Sequence, residues 1–66
     1  MARALITDAA GLLLSADERA FFRDADPWGF IIFKRNVETP DQLRALTGEM
    51  RESVGRDAPI LVDQEG

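Results

Sequence analysis

Sixty-six residues with 45% apolar and 30% charged side chains contain enough Leu, Ile, Val and Phe to exclude a disordered tail, yet a chain this short buries only about 60% of its unfolded surface. With no Cys and no His there is no disulfide framework and no zinc or haem constellation, so the missing stabilisation is expected from a larger chain or from oligomerisation. A net charge of -4, with Lys34 beside Arg35 as its largest basic cluster, offers no stripe for nucleic acid, and the absence of a signal-like N-terminus or of roughly 20 consecutive apolar residues makes a cytoplasmic protein without membrane contact the default expectation.

Ala4-Leu5-Ile6-Thr7 predicts a first strand, broken by Asp8-Ala9-Ala10-Gly11, where Asp and Gly favour a turn. Ser15 and Glu18 then have the Ser-x-x-Glu spacing of a capping box, and a helix is expected over about residues 16–24. Phe21, Phe22 and Ala25 supply its apolar side, and Asp26-Pro27 ends it because a residue preceding proline is pushed out of the helical region.

Gly29-Phe30-Ile31-Ile32-Phe33 is a continuous β-favouring run without alternation, so both faces of a second strand are expected to be buried, with Trp28 packing just before it and Lys34-Arg35-Asn36 as its polar exit. Thr39 caps a second helix, with Pro40 at the first helical position and Gln42 completing another capping box. Leu43, Leu46, Met50 and Val54 share one helical stripe, and Gly55 is placed to cap its C-terminus. Asp57-Ala58-Pro59 leads into a third strand, Ile60-Leu61-Val62.

The order is β-α-β-α-β, and the strands start about 30 residues apart, the size of a βαβ unit, so parallel pairing is expected with both helices on one face. No Gly-x-Gly-x-x-Gly or Gly-x-x-x-x-Gly-Lys-Ser/Thr follows any strand. An α/β fold remains, either a doubly wound sheet or the first three strands of a (β/α)8 barrel.

In both architectures the chemistry gathers beyond the carboxyl ends of the strands. Parallel strands would therefore bring Asp8, then Lys34-Arg35-Asn36, then Asp63-Gln64-Glu65 to one rim. Asp63 and Glu65 lie two apart, about 7 Å in an extended segment, and paired carboxylates can accept hydrogen bonds from sugar hydroxyls, act as an acid/base pair or hold a divalent cation. The bland alternative is that one of them caps a following helix. Lys34 and Arg35 can grip an anionic or hydroxylated ligand or simply end a strand in solvent, whereas Asn36 reads as a turn residue.

Gly29-Phe30-Ile31-Ile32-Phe33-Lys34-Arg35-Asn36, then Thr39-Pro40-Asp41-Gln42-Leu43, then Val62-Asp63-Gln64-Glu65-Gly66 resemble the N-terminal part of bacterial β-N-acetylhexosaminidases of glycoside hydrolase family 3, of the peptidoglycan-recycling type. The resemblance covers nearly the whole chain. It implies a TIM-like (β/α)8 barrel of which residues 1–66 are an N-terminal β-α-β-α-β portion. It also implies a retaining glycosidase that removes terminal β-linked N-acetylglucosamine from anhydromuropeptides, with neither cofactor nor metal. Asp63 is then the carboxylate that accepts hydrogen bonds from the sugar in the −1 subsite, while Glu65, Arg35, Asn36 and Asp8 are supporting or rim residues on the separate ground that parallel strands bring them to the same rim. The nucleophilic Asp and the His acid/base of that family lie further along, and this sequence has no His. Two other classes stay open: another sugar specificity, such as a β-glucosidase, and a non-catalytic module built on the same half-barrel.

Overall fold

The computed structural model describes residues 3–63. Three parallel strands, β1 (Arg3–Thr7), β2 (Pro27–Ile32) and β3 (Ile60–Val62), lie side by side in sequence order. Helix α1 (Ala16–Ala25) connects the first pair and α2 (Pro40–Val54) the second, with a single 3-10 turn at Lys34–Asn36 between β2 and α2. The register sets Ile6 against Gly29 and Thr7 against Phe30, then Phe30 against Ile60 and Ile32 against Val62. Three parallel strands with two connecting helices are the unit the strand spacing predicts.

The helix ends follow local chemistry. Ser15 Oγ accepts from Glu18 N at 3.1 Å while a Glu18 carboxylate oxygen accepts from Ser15 N at 3.0 Å, so the capping box is complete. Asp26 closes α1 in a left-handed conformation at φ 46°, immediately before Pro27. At α2, Thr39 Oγ1 accepts from Gln42 N at 3.1 Å and Gly55 takes the left-handed C-cap at φ 71°. The expected second capping box is not formed. Gln42 Oε1 accepts instead from Glu38 N at 2.9 Å, and its amide group reaches beyond the helix to Leu12 O and Asn36 O.

Both helices cover the same face of the sheet. Phe30 and Ile32 project from β2 into a cluster with Phe22 of α1 and Leu46 and Met50 of α2, and Leu43, Val54 and Ile60 pack against its edge. Phe22 and Phe30 meet edge to face at 5.1 Å between ring centroids. Three expectations about burial need correction. Phe21 is 57% exposed, because consecutive residues of a helix point about 100° apart and Phe22 takes the core position. Trp28 lies inside β2, not before it, and is 47% exposed, lining a shallow apolar groove with Ala4, Leu5 and Ile6 at the end of the sheet opposite Asp8 and Asp63. The second face of β2 is only partly covered, since no described helix lies over the side shared by Ile6, Gly29, Ile31 and Leu61.

Two glycines respond oppositely to a methyl group. A Cβ on Gly29 would stand 2.9 Å from the carbonyl oxygen of Pro59, the same oxygen that accepts Phe30 N–H at the start of the β2–β3 ladder. A Cβ on Gly48, in the middle of α2, would meet nothing within 4 Å. Gly29→Ala is expected to destabilise the complete protein by about 1–3 kcal/mol through displaced backbone, and Gly48→Ala to stabilise it by roughly 0.5–1 kcal/mol. Chemical denaturation of the two variants measures both signs; equal shifts would mean that the Pro59 contact is freely relieved.

Candidate functional site

The strand ends converge as parallel pairing requires. Asp8 leaves β1 directly after Thr7, Lys34 and Arg35 follow β2, and Asp63 follows β3, its N–H donating to Ile32 O at 2.9 Å. Asp8 and Asp63 thus flank the exit of β2 on its two sides, two strand spacings and on the order of 10 Å apart. Asp63 is half-buried, and no side chain among the described residues engages its carboxylate. Glu65 and Gln64 lie outside the described residues.

Arg35 is drawn to the β1 side of this rim. Its guanidinium pairs with the Asp8 carboxylate and stands over the Phe33 ring, 4.7 Å from the centroid. Both partners remain 40–50% exposed, so the pair is screened by water and orients more than it stabilises. The planar fork keeps further N–H donors available beside the acidic group.

Asn36 departs most from expectation. It is fully buried and occupies the last position of the 3-10 turn, with no left-handed backbone. Its Oδ1 accepts from Phe33 N at 2.9 Å, and its Nδ2 donates to Ala9 O at 3.0 Å and Gly11 O at 2.7 Å. Its own N–H donates to Phe33 O at 2.9 Å, and its carbonyl accepts from Gln42 Nε2 at 2.8 Å. Every polar group of this residue is used, as a low-dielectric surrounding demands. A turn role explains the Phe33 contacts but not those to Ala9 and Gly11, which join two loops 25–27 residues apart.

Gln42, Glu18 and Glu49 were not legible as parts of this region. Gln42 Nε2 also donates to Leu12 O at 2.6 Å, Glu18 Oε2 accepts from Ala10 N at 2.9 Å, and Glu49 Oε1 accepts from Leu14 N at 3.1 Å while its other oxygen pairs with Arg19. Burial pushes the Glu18 carboxyl up, but hydrogen bonds from the Ser15 and Ala10 amides and from the Ser15 side chain outweigh it and hold the group below the ordinary glutamate value. No three His, Cys, Asp or Glu side chains gather as metal ligands among the described residues, and no described helix is long and apolar enough to cross a membrane.

No protein-family model matches the chain. A β-hexosaminidase of Methylococcus capsulatus is 48% identical over 59 residues, covering 89% of this chain and 17% of that protein. A β-hexosaminidase of Pseudomonas aeruginosa is 39% identical over 66 residues, covering all of this chain and 20% of that protein. The crystal structure of NagZ from Neisseria gonorrhoeae in complex with zinc ion superposes with a TM-score of 0.85 at 31% identity, over 98% of this chain and 20% of that one. By sequence and by fold, the chain is a segment of the bacterial β-hexosaminidase family. It spans about a fifth of the length of the curated relatives it matches. Within that family its three strands and two helices are a β-α-β-α-β portion of a TIM-like barrel. The rim formed by Asp8, Arg35 and Asp63 is therefore the C-terminal face of barrel strands, where such folds carry their chemistry.

Proposed function

We propose that the complete protein is a retaining exo-β-N-acetylhexosaminidase of glycoside hydrolase family 3. It removes terminal β-linked N-acetylglucosamine from muropeptides in the cytoplasm, and residues 1–66 form the N-terminal part of its single barrel domain. The match to β-hexosaminidases over nearly the whole chain carries this reading. A second NagZ structure from Neisseria gonorrhoeae, in complex with N-trifluoroacetyl-D-glucosamine, supports a hexosamine ligand; it superposes at a TM-score of 0.84 and 30% identity.

In this reading Asp63 accepts hydrogen bonds from hydroxyls of the terminal sugar. A carboxylate is suited to that task because it offers only acceptors and makes charge-assisted bonds. Its place after β3, at the rim that also carries the Arg35–Asp8 pair, supports this reading, because barrel enzymes bind substrate at that end of their strands. The nucleophile and the proton donor belong to residues outside this chain, as the resemblance implies, and the reaction proceeds by double displacement through a glycosyl-enzyme.

The complete protein should hydrolyse a chromogenic β-N-acetylglucosaminide and prefer it to the corresponding β-glucoside. A preference for the glucoside would move the reading to another specificity within the family, and turnover of neither would leave a binding module. The 66-residue chain made alone should be inactive and should self-associate, because Ile6 and Leu61 on the uncovered face of the sheet, together with Trp28 and Val62, are 41–59% exposed. Turnover by the isolated chain above a blank, or a sharp monomeric thermal transition, would contradict this.

A further inference from the structure

The connection between β1 and α1, residues 8–15, takes its shape from side chains of other elements. Across residues 10–14 no backbone–backbone hydrogen bond is present among the described residues. The carbonyls of Ala9 and Gly11 are bound by Asn36, that of Leu12 by Gln42, and the amides of Ala10 and Leu14 by Glu18 and Glu49. A segment with no ladder of its own has no preferred shape until such partners supply one.

Three of these ties come from one place. Asn36 and Gln42 both belong to the β2–α2 connection or the first turn of α2, and they are joined by Gln42 Nε2 donating to Asn36 O. The same connection carries Arg35, which pairs with Asp8 where the loop leaves β1. The loop is thus held at Asp8, Ala9, Gly11 and Leu12 from the β2 side, and the β2 exit that holds it lies between the loop and the strand end that bears Asp63.

On the reading of the complete protein as a β-N-acetylhexosaminidase, we propose that Asn36 and Gln42 are positioning residues: they hold the β1–α1 loop, with Asp8, as the wall of the sugar subsite that faces Asp63 across the β2 exit. A wall fixed before the sugar arrives spares the binding step the entropy of ordering it. Its contacts with an unreactive edge of the sugar are made in the ground state and the transition state alike. Loosening it therefore raises KM and leaves kcat nearly unchanged.

Gln42→Glu in the complete enzyme separates this role from folding. The substitution keeps the oxygen that accepts Glu38 N–H and removes the amide donors that face Leu12 O and Asn36 O. KM for a chromogenic β-N-acetylglucosaminide should rise about tenfold with kcat within about twofold of wild type, and amide exchange over residues 10–14 should quicken. Gln42→Met, which introduces no charge, should move KM in the same direction. A purely structural role would lower the fraction of active enzyme, and so the apparent kcat, without moving KM. Unchanged KM in both folded variants would overturn the proposal. A wild-type enzyme inert towards the substrate would overturn the functional reading instead, and exchange over residues 10–14 would then decide whether the clamp exists.

Discussion

Replacing Asp63 by alanine in the complete enzyme is expected to lower kcat/KM by about 100-fold or more while leaving the fold intact. Each charge-assisted hydrogen bond from a sugar hydroxyl to this carboxylate is worth roughly 1.5–3 kcal/mol, and two such bonds account for a loss of that size. Glycosidases strengthen contacts of this kind as the ring distorts towards its oxocarbenium-like transition state, so part of the loss should fall on kcat. The fold should tolerate the change because Asp63 is tied into the sheet through its backbone N–H, and its side chain is no part of the buried cluster around Phe30. Glu65→Gln should cost less if Glu65 only supports the site. Steady-state kinetics and a melting curve on the same preparations decide the matter. Near-normal kcat/KM, or a loss that follows a fall in Tm, would return Asp63 to a structural role.

The second large effect is on stability. Asn36→Ala removes three side-chain hydrogen bonds from a residue with no exposed surface, and it strands the Ala9 carbonyl in a buried position. A net hydrogen bond contributes about 1 kcal/mol and an unsatisfied buried group costs about 1–3 kcal/mol, so the loss of the other two bonds and the stranding of the Ala9 carbonyl should together cost roughly 3–5 kcal/mol. For a protein with an ordinary margin of 5–15 kcal/mol this is a large fraction. The loss should appear as a lower denaturation midpoint at unchanged m-value. A change below about 1 kcal/mol would mean that water replaces the amide without penalty. Asn36→Asp should be similarly damaging, because it substitutes an acceptor for the amide that donates to Ala9 O and Gly11 O.

Short-range chemistry made most of the fold legible. The Ser15–Glu18 box, Thr39 before Pro40, Gly55 after Val54 and the Leu43–Leu46–Met50 stripe each depend on partners within one or two turns, so spacing alone predicts them. The same holds for strand direction, since helices of 10 and 15 residues between the strands oblige each strand to return in the same direction. The convergence of Asp8, Arg35 and Asp63 at one rim follows from that parallel order, and the family resemblance, not the spacing, singled out Asp63 among them.

Two kinds of information depended on the assembled structure. Which of two adjacent aromatics enters the core is a matter of helix phase against the sheet, and it buried Phe22 while leaving Phe21 exposed. The use of a polar side chain with more than one hydrogen-bonding arm depends on what tertiary packing brings near it. The Asn36 side chain satisfies a turn and that of Gln42 the Glu38 amide by local geometry, and nothing in their own neighbourhood specifies Ala9, Gly11 or Leu12 as further partners. Local propensity and parallel order determined the elements and the rim from the sequence itself. The buried amide network that holds the β1–α1 loop was decided by tertiary contact, because a polar group removed from water must pair with whichever backbone group the fold places within reach.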